Sequence, residues 1–214
     1  MNIISLCGFF KDIKEVDLVS MLNCVQAKIR KTPKDEFVLL AGAKPEQIGI
    51  VLEGQLNIVR EDYDGNRTMV TAVMPGDVYS EALCCAGVLE SPVSVIAEVE
   101  SAIMQISYQR ILRVCPNTCT FHIKLIENML ELIAQKNLYL QSRMDIISLK
   151  SVRMKVLRYF ESLIPKQGKK ITVPFNREEL ADFLCVERSA LSHELARMKK
   201  DGLIEYRKNK FVLK

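Results

Sequence analysis

Between residues 36 and 106, short apolar runs alternate with turn signals. The runs cover 36–40, 48–52, 56–59, 69–73, 93–99 and 103–106. Asp64-Gly65 suits the two positive φ angles of a tight hairpin, and Pro75-Gly76-Asp77 marks another break. Closely spaced short strands of this kind predict an antiparallel barrel or sandwich.

From Thr118 to about Leu149, the apolar spacing changes to steps of three and four residues, which predicts a helix of about eight turns. One stripe follows heptad a and d positions and predicts pairing with a second copy of the helix. Its members are Ile123, Ile126, Leu130, Ile133, Asn137, Leu140, Met144 and Ile147. A single Asn at an a position fixes register. The alternative is a helix buried in its own domain, with Asn137 at a solvent edge.

A second apolar stripe lies on another face of this helix. It consists of Leu125, Met129 and Leu132. These three residues can pack on the strands, which leaves the heptad stripe for a partner, because a single chain rarely needs two apolar stripes on so long a helix.

Residues 148–214 begin with a helical face that includes Val152 and Phe160 and is expected to end at Pro165. After a short strand at 171–173, the segment 176–198 predicts two helices joined by a tight turn. Asn176 is a capping residue, and a small apolar face continues from the first helix to the second. The apolar positions are Leu180, Ala181, Leu184, Val186, Leu191, Leu195 and Met198. This is a helix-turn-helix pattern, whose second helix enters the major groove of DNA.

The candidate DNA-contacting residues lie on and around this pair of helices. Arg188, Ser189, Ser192 and His193 project from the second helix near the end that meets base edges. The strands at 203–207 and 211–213 predict a two-stranded wing, and Lys208 and Lys210 at its tip suit phosphate contact. Arg177, at the start of the first helix, is a further candidate.

Charge is distributed unevenly along the chain. Residues 148–214 carry 16 Lys and Arg against 8 Asp and Glu, whereas residues 1–147 carry 14 against 18. A basic final third predicts a polyanionic partner. For the charge, the alternative is a merely solvated basic surface. For the pair of helices at 176–198, the alternative is a structural α-hairpin.

Composition narrows the class of protein. The chain has 214 residues, of which 49% are hydrophobic and 26% charged, as in ordinary globular proteins. No apolar run is long enough to span a membrane, and seven irregularly spaced cysteines predict reduced thiols in a cytoplasmic protein. With two histidines and no nucleophile-elbow, Walker or zinc-protease motif, we expect neither a catalytic residue nor a metal site.

The whole chain resembles the CRP/FNR family of bacterial transcription regulators. The resemblance is carried by Gly54-Gln55-Leu56, by Pro75-Gly76-Asp77 before Glu81, and by residues 176–198. It implies an α+β fold with three parts: an antiparallel, jelly-roll-like β-roll sensor domain at 1–116, a dimerisation helix at 117–147, and a winged helix-turn-helix domain at 148–214. The implied partners are a second copy, double-stranded DNA with a palindromic operator, and RNA polymerase.

Departures from the family's patterns bear on the effector. Cyclic-nucleotide binders of the family place Arg-Ser or Arg-Thr about ten residues after a Gly-Glu, but here Ser91-Pro92 follows Glu81, so we do not expect cyclic AMP. Iron–sulfur binding is not expected either, because Cys7, Cys24, Cys84 and Cys85 lack the family's spacing. Haem would have only one candidate ligand, His122.

The cysteines are interpreted as structural residues. Cys84-Cys85 is interpreted as a buried apolar pair, with a redox switch as the alternative. Cys115 and Cys119 are interpreted as core or interface sulfur. Cys185 stands where many members of the family have Gly in the helix turn.

The effector is unidentified, and we expect it near residues 81–89. The candidate pocket residues are Tyr79, Glu81, Leu83, Leu89 and Ser91. Two alternatives remain open: a regulator without effector, its pocket filled by side chains such as Leu83, Leu89 and Ile96, and a ligand-binding or protein-interaction module without DNA function.

Overall fold

The computed structural model describes residues 7–62, 67–112 and 120–214. The predicted Asp64-Gly65 turn, Cys115 and Cys119 lie outside these residues. The described residues form two compact units, Met1–Gln135 and Lys136–Lys214. No helix among them is long and apolar enough to cross a bilayer.

The first unit is an antiparallel β-roll of two four-stranded sheets, as the sequence predicted. One sheet has the order β1-β8-β3-β6 and the other β2-β7-β4-β5. The strands are β1 (Lys28–Thr32), β2 (Phe37–Leu39), β3 (Gln47–Glu53), β4 (Leu56–Glu61), β5 (Arg67–Val73), β6 (Val78–Tyr79), β7 (Ser94–Ala97) and β8 (Ser101–Ser107). The prediction of one strand over 93–99 was too long, because β7 ends at Ala97 and Val99 is exposed.

Two apolar cores hold the β-roll together. Alternate residues of β3 and β8 face opposite sides of their sheet, so Val51 and Ile103 pack against the second sheet. Ile48 and Ile50 face the other way, towards the helices and the N-terminal segment. The helices of this unit are α1 (Glu15–Cys24), α2 (Glu81–Cys85), α3 (Tyr108–Leu112) and the first part of α4 (Thr120–Ile147).

Helix α4 confirms the predicted long helix and the stripe that was expected to pack on the strands. Leu125 and Met129 are buried in the core of the first unit, and Leu132 packs against that core. Asn128, which lies on the same side, donates hydrogen bonds to the carbonyls of Phe9 and Lys11 at 3.1 and 2.8 Å.

The second unit is a winged helix-turn-helix. It consists of α5 (Val152–Gln167), β9 (Lys170–Thr172), α6 (Arg177–Leu184), α7 (Arg188–Lys200), β10 (Ile204–Arg207) and β11 (Lys210–Leu213). The expected end of α5 at Pro165 was wrong, because Pro165 stands inside the last turn and the helix continues to Gln167. The wing has three strands instead of two, since β9 pairs with β11.

Candidate nucleic-acid interface

Helix α6 begins at a complete capping box. The Asn176 side chain accepts hydrogen bonds from the backbone amides of Glu178 and Glu179 at 2.9 and 3.0 Å. In return, the Glu179 carboxylate accepts from the Asn176 amide at 2.7 Å. Three backbone amides that would lack helical partners are thus satisfied, and the start of the helix is fixed. The sequence predicted the cap at Asn176 from its residue type.

The turn between α6 and α7 depends on an unusual backbone conformation and a buried lysine. Cys185 adopts φ 50° and ψ 58°, the left-handed region where Gly is favoured. Lys155 of α5 is 9% exposed, and its Nζ donates to the carbonyls of Leu184 and Cys185 at 3.1 and 3.2 Å. These carbonyls, at the end of α6, have no helical donors of their own.

The apolar face predicted for the two helices is buried. Ala181 is buried, as close approach of two crossing helices requires, and Val186 packs at the edge of the same core. The other buried members are Leu180, Leu184, Leu191, Leu195 and Met198. Because one side of α7, hereafter the recognition helix, faces this core, its other side is left to solvent.

The exposed side of the recognition helix carries the polar residues that the sequence singled out. Arg188, Ser189 and His193 are exposed. Ser192 is half-buried, and its hydroxyl donates to the carbonyl of Arg188 at 2.9 Å. Sequence reasoning missed Lys200, which the steps of three and four residues from Ser189 and His193 place on the same exposed face.

The wing presents its cations differently from the recognition helix. Lys208 and Lys210 are exposed at the turn between β10 and β11. The Arg177 guanidinium instead packs over the rings of Tyr206 and Phe211, with centroids 5.4 and 5.7 Å away. Burial lowers the pKa of Arg177. Arg177 therefore braces the wing, and its contact with DNA stays a prediction.

Comparisons with known families agree with this geometry. Residues 29–118 match the family described as "Cyclic nucleotide-binding domain". Residues 154–214 match the "Crp-like helix-turn-helix domain". The chain belongs to the CRP/FNR family. This CRP/FNR protein is therefore a transcription regulator with a DNA-binding helix-turn-helix and an effector-binding domain, and its family is not one of enzymes.

Solved structures share the fold of this CRP/FNR protein at low sequence identity. The Catabolite Activator Protein of Thermus thermophilus is 15% identical, with a TM-score of 0.56 over 97% of this chain and 93% of that one. The c-di-GMP responsive regulator CLP of Xanthomonas campestris is 16% identical, with a TM-score of 0.57 over 94% and 99%. CprK in complex with OCPA is 18% identical, with a TM-score of 0.62 over 91% and 88%. No curated protein matches the chain in sequence.

The predicted dimer seam of the CRP/FNR protein is largely open to solvent in the single chain. Ile126 and Ile133 are partly buried against the first unit. Of the other a and d residues, Ile147 is half-buried and the rest are exposed, namely Ile123, Leu130, Asn137, Leu140 and Met144. An apolar stripe that its own chain leaves uncovered is what a helix partner would bury.

The predicted effector residues do not share one surface. Tyr79 and Glu81 are buried, and Leu83 is half-buried. Ser91 is buried, and its hydroxyl donates to the carbonyl of Val93 at 2.6 Å. Leu89 is 72% exposed, so its side chain faces solvent and not the interior of the β-roll.

A cavity of about 350 Å³ adjoins Tyr79 in the β-roll. Arg30 and Lys44 line it, although the sequence has no Lys or Arg between 67 and 110. Burial raises the pKa of Tyr79, which the nearby Arg30 charge partly offsets, so its hydroxyl stays protonated at neutral pH. Sequence reasoning missed both cations, because they come from segments remote from Tyr79.

The paired cysteines have the environment of packed apolar groups. The Cys84 thiol donates to the carbonyl of Pro45 at 3.3 Å, and burial raises its pKa to about 11. The Cys85 sulfur lies 3.7 Å from that of Met129, and burial also raises the pKa of Cys85. Since the thiolate is the reactive form, a raised pKa disfavours reaction of these thiols, which favours packing of buried Cys84 and half-buried Cys85 over a redox switch.

Proposed function

We propose that this protein is a homodimeric, sequence-specific DNA-binding transcription regulator of the cytoplasm. The observation that carries the proposal is the recognition helix, whose apolar side is buried while Arg188, Ser189 and His193 stay exposed at its N-terminal end. The residues of that end contact base edges when such a helix lies in the major groove. Exposed Lys208 and Lys210 on the wing suit contacts to phosphates.

The dimer follows from the uncovered stripe of α4. Two parallel copies of the helix would bury Leu130, Leu140 and Met144 against each other and bring the two Asn137 amides level. Two parallel helices form a dimer with two-fold symmetry. Such a dimer binds two half-sites one helical turn of DNA apart, so the operator is palindromic in this proposal. RNA polymerase is a further proposed partner, from the family resemblance.

In this proposal, an effector bound in the β-roll changes the affinity of the dimer for DNA. A small molecule other than cyclic AMP would bind near residues 81–89, and the cavity beside Tyr79 offers space next to that segment. Binding there would shift the packing of the two long helices and reposition the recognition helices.

Selection of the reduced, full-length protein against a random duplex pool, at moderate salt and without added ligand, tests the proposal. We expect a two-fold symmetric site to be enriched, which would also favour binding without effector. Salt-sensitive binding with no enriched sequence would point to a missing effector. An absence of binding at low salt would overturn the DNA function and favour a protein partner for the basic domain.

Replacing Asn137 by Leu is expected to loosen the register or the oligomeric state of the dimer. Asn at an a position specifies pairing at a cost in stability, whereas Leu tolerates other registers and larger assemblies. Light scattering coupled to size exclusion should show a mixture of masses for Asn137→Leu. The control is Gln135→Leu, an exposed position on the side of α4 away from the seam. An unchanged dimer mass together with an unchanged DNA response would remove this role from Asn137.

A further inference from the structure

Two cations of helix α5 contact the recognition helix and the turn before it. Lys155 binds the carbonyls of Leu184 and Cys185, just before the recognition helix begins. Arg153 forms ion pairs with Glu194, in the middle of that helix, at 2.5 Å and with Asp201, which ends it, at 2.7 Å. The two contacts therefore lie on either side of the residues predicted to contact bases.

Both an apolar core and directional polar contacts join α5 to the helix-turn-helix. Leu191, Leu195 and Met198 pack with Val156 and Phe160 of α5 in one buried cluster. Hydrogen bonds to charged groups add geometric specificity to this packing, because they depend on distance and angle. The directional contacts are the hydrogen bonds of Lys155 to two backbone carbonyls and the ion pairs of Arg153.

Burial removes water from the Lys155 ammonium group, and hydrogen bonds to protein acceptors must replace that hydration. An ammonium group that is nearly removed from water must be hydrogen-bonded, and the two carbonyls at the end of α6 are suitable acceptors. They also lie at the negative end of the helix dipole, which favours a cation. Cys185 holds its left-handed conformation at the same point, so Lys155 secures a strained turn.

Helix α5 is also the next helix along the chain after α4. It begins at Val152, shortly after α4 ends at Ile147, and Ile146 of α4 is buried in the same core as Val156 and Phe160. We propose that Lys155 and Arg153 are positioning residues, which make the recognition helix follow α5 as one body and so fix the angle at which it meets DNA. The inference rests on the proposed function, since it concerns how the same recognition helix is aimed.

Lys155→Met tests the proposal, because Met keeps the length and apolar stem of Lys but cannot donate to the two carbonyls. We expect affinity for the selected operator to fall about tenfold, with affinity for nonspecific duplex unchanged. Lys155→Arg, which can still donate, should restore most of the loss. Arg153→Gln should weaken operator binding in the same selective way.

Matched controls lie on the same helix. Lys166→Met and Arg158→Gln remove the same charges from exposed positions of α5 and should leave the ratio of operator to nonspecific affinity unchanged. Equal losses on operator and nonspecific DNA would overturn the positioning role and leave Lys155 a general stabiliser. So would a Lys155→Met protein that binds the operator as tightly as the wild type.

Amide hydrogen exchange provides a measurement that needs no DNA. Lys155→Met should speed exchange across residues 185–191 relative to Lys166→Met, because the turn loses its anchor. If the wild type binds no DNA, the proposed function fails, and the exchange result still decides whether Lys155 anchors the turn. Exchange equal to that of the control would overturn the proposal by itself.

Discussion

Phe160→Ala is expected to lower the free energy of unfolding of the second unit by about 3–5 kcal/mol. The Phe160 side chain is fully buried, and its ring centroid lies 4.6 Å from that of Phe211 and 6.0 Å from that of Tyr159. Phe211 belongs to the wing, and Leu191 and Leu195 of the recognition helix share the same cluster. The cavity left by Ala would therefore lie in the cluster that the wing and the recognition helix share.

Urea unfolding followed by circular dichroism measures this loss. Met154→Ala is the control, because Met154 lies on the same helix with an exposed side chain, and we expect it to change the free energy by less than about 0.5 kcal/mol. The two units of the chain can unfold separately, so the transition of the second unit is followed by amide exchange in α5 and α7. A loss below about 1 kcal/mol would show that the core re-forms around the smaller side chain.

The helix-turn-helix was predictable because its signals are local. Asn176 was predicted as a cap from its residue type, and its side chain accepts from the amides of Glu178 and Glu179 as a cap does. Leu191, Leu195 and Met198 follow the helical period, and they are buried as that period predicts. The long helix α4 was predictable for the same reason.

Strand β1 was not predictable, because its pairing is remote in sequence. Lys28–Thr32 has a single apolar side chain, Ile29, and that residue is exposed. The strand exists because Lys28 pairs with Gln105 and Thr32 with Ser101 in β8. No local period records such a contact.

The surroundings of Tyr79 escaped prediction for a related reason. No Lys or Arg lies close to Glu81 along the chain, since none occurs between Arg67 and Arg110. In the structure, β1 brings Arg30 and the segment before β3 brings Lys44 to the cavity that Tyr79 lines. Leu89 was predicted as a pocket residue because it is near Glu81 in sequence, but its side chain faces solvent. Position along the chain is thus a weak guide to a pocket built from several strands.

The lysine of α5 shows a different limit of sequence reasoning. Lys155 lies within a helix, and its period predicts only that it borders the apolar face. Its partners are backbone carbonyls of α6, and any residue type could supply these. A buried cation whose acceptors are backbone carbonyls therefore cannot be recognised from the residue types around it.

Arg188→Ala is expected to weaken binding to the operator by about 1–3 kcal/mol and to relax the preference for one base pair. Arg188 is exposed at the first position of the recognition helix, the end that contacts base edges. Its guanidinium can donate two hydrogen bonds to guanine O6 and N7, whereas Ala can donate none. Binding is measured on the operator and on operators changed at one position, each at several salt concentrations.

The comparison with Arg197→Ala separates base reading from charge. Arg197 is exposed on the same helix, more than two turns further along. Removing it also takes away one positive charge, so any loss should be equal on all sequences. If Arg188→Ala likewise weakens every sequence equally and reduces the salt slope by about 1, then Arg188 contacts a phosphate. Base specificity would in that case come from Ser189 and His193, the neighbours of Arg188 that are also exposed.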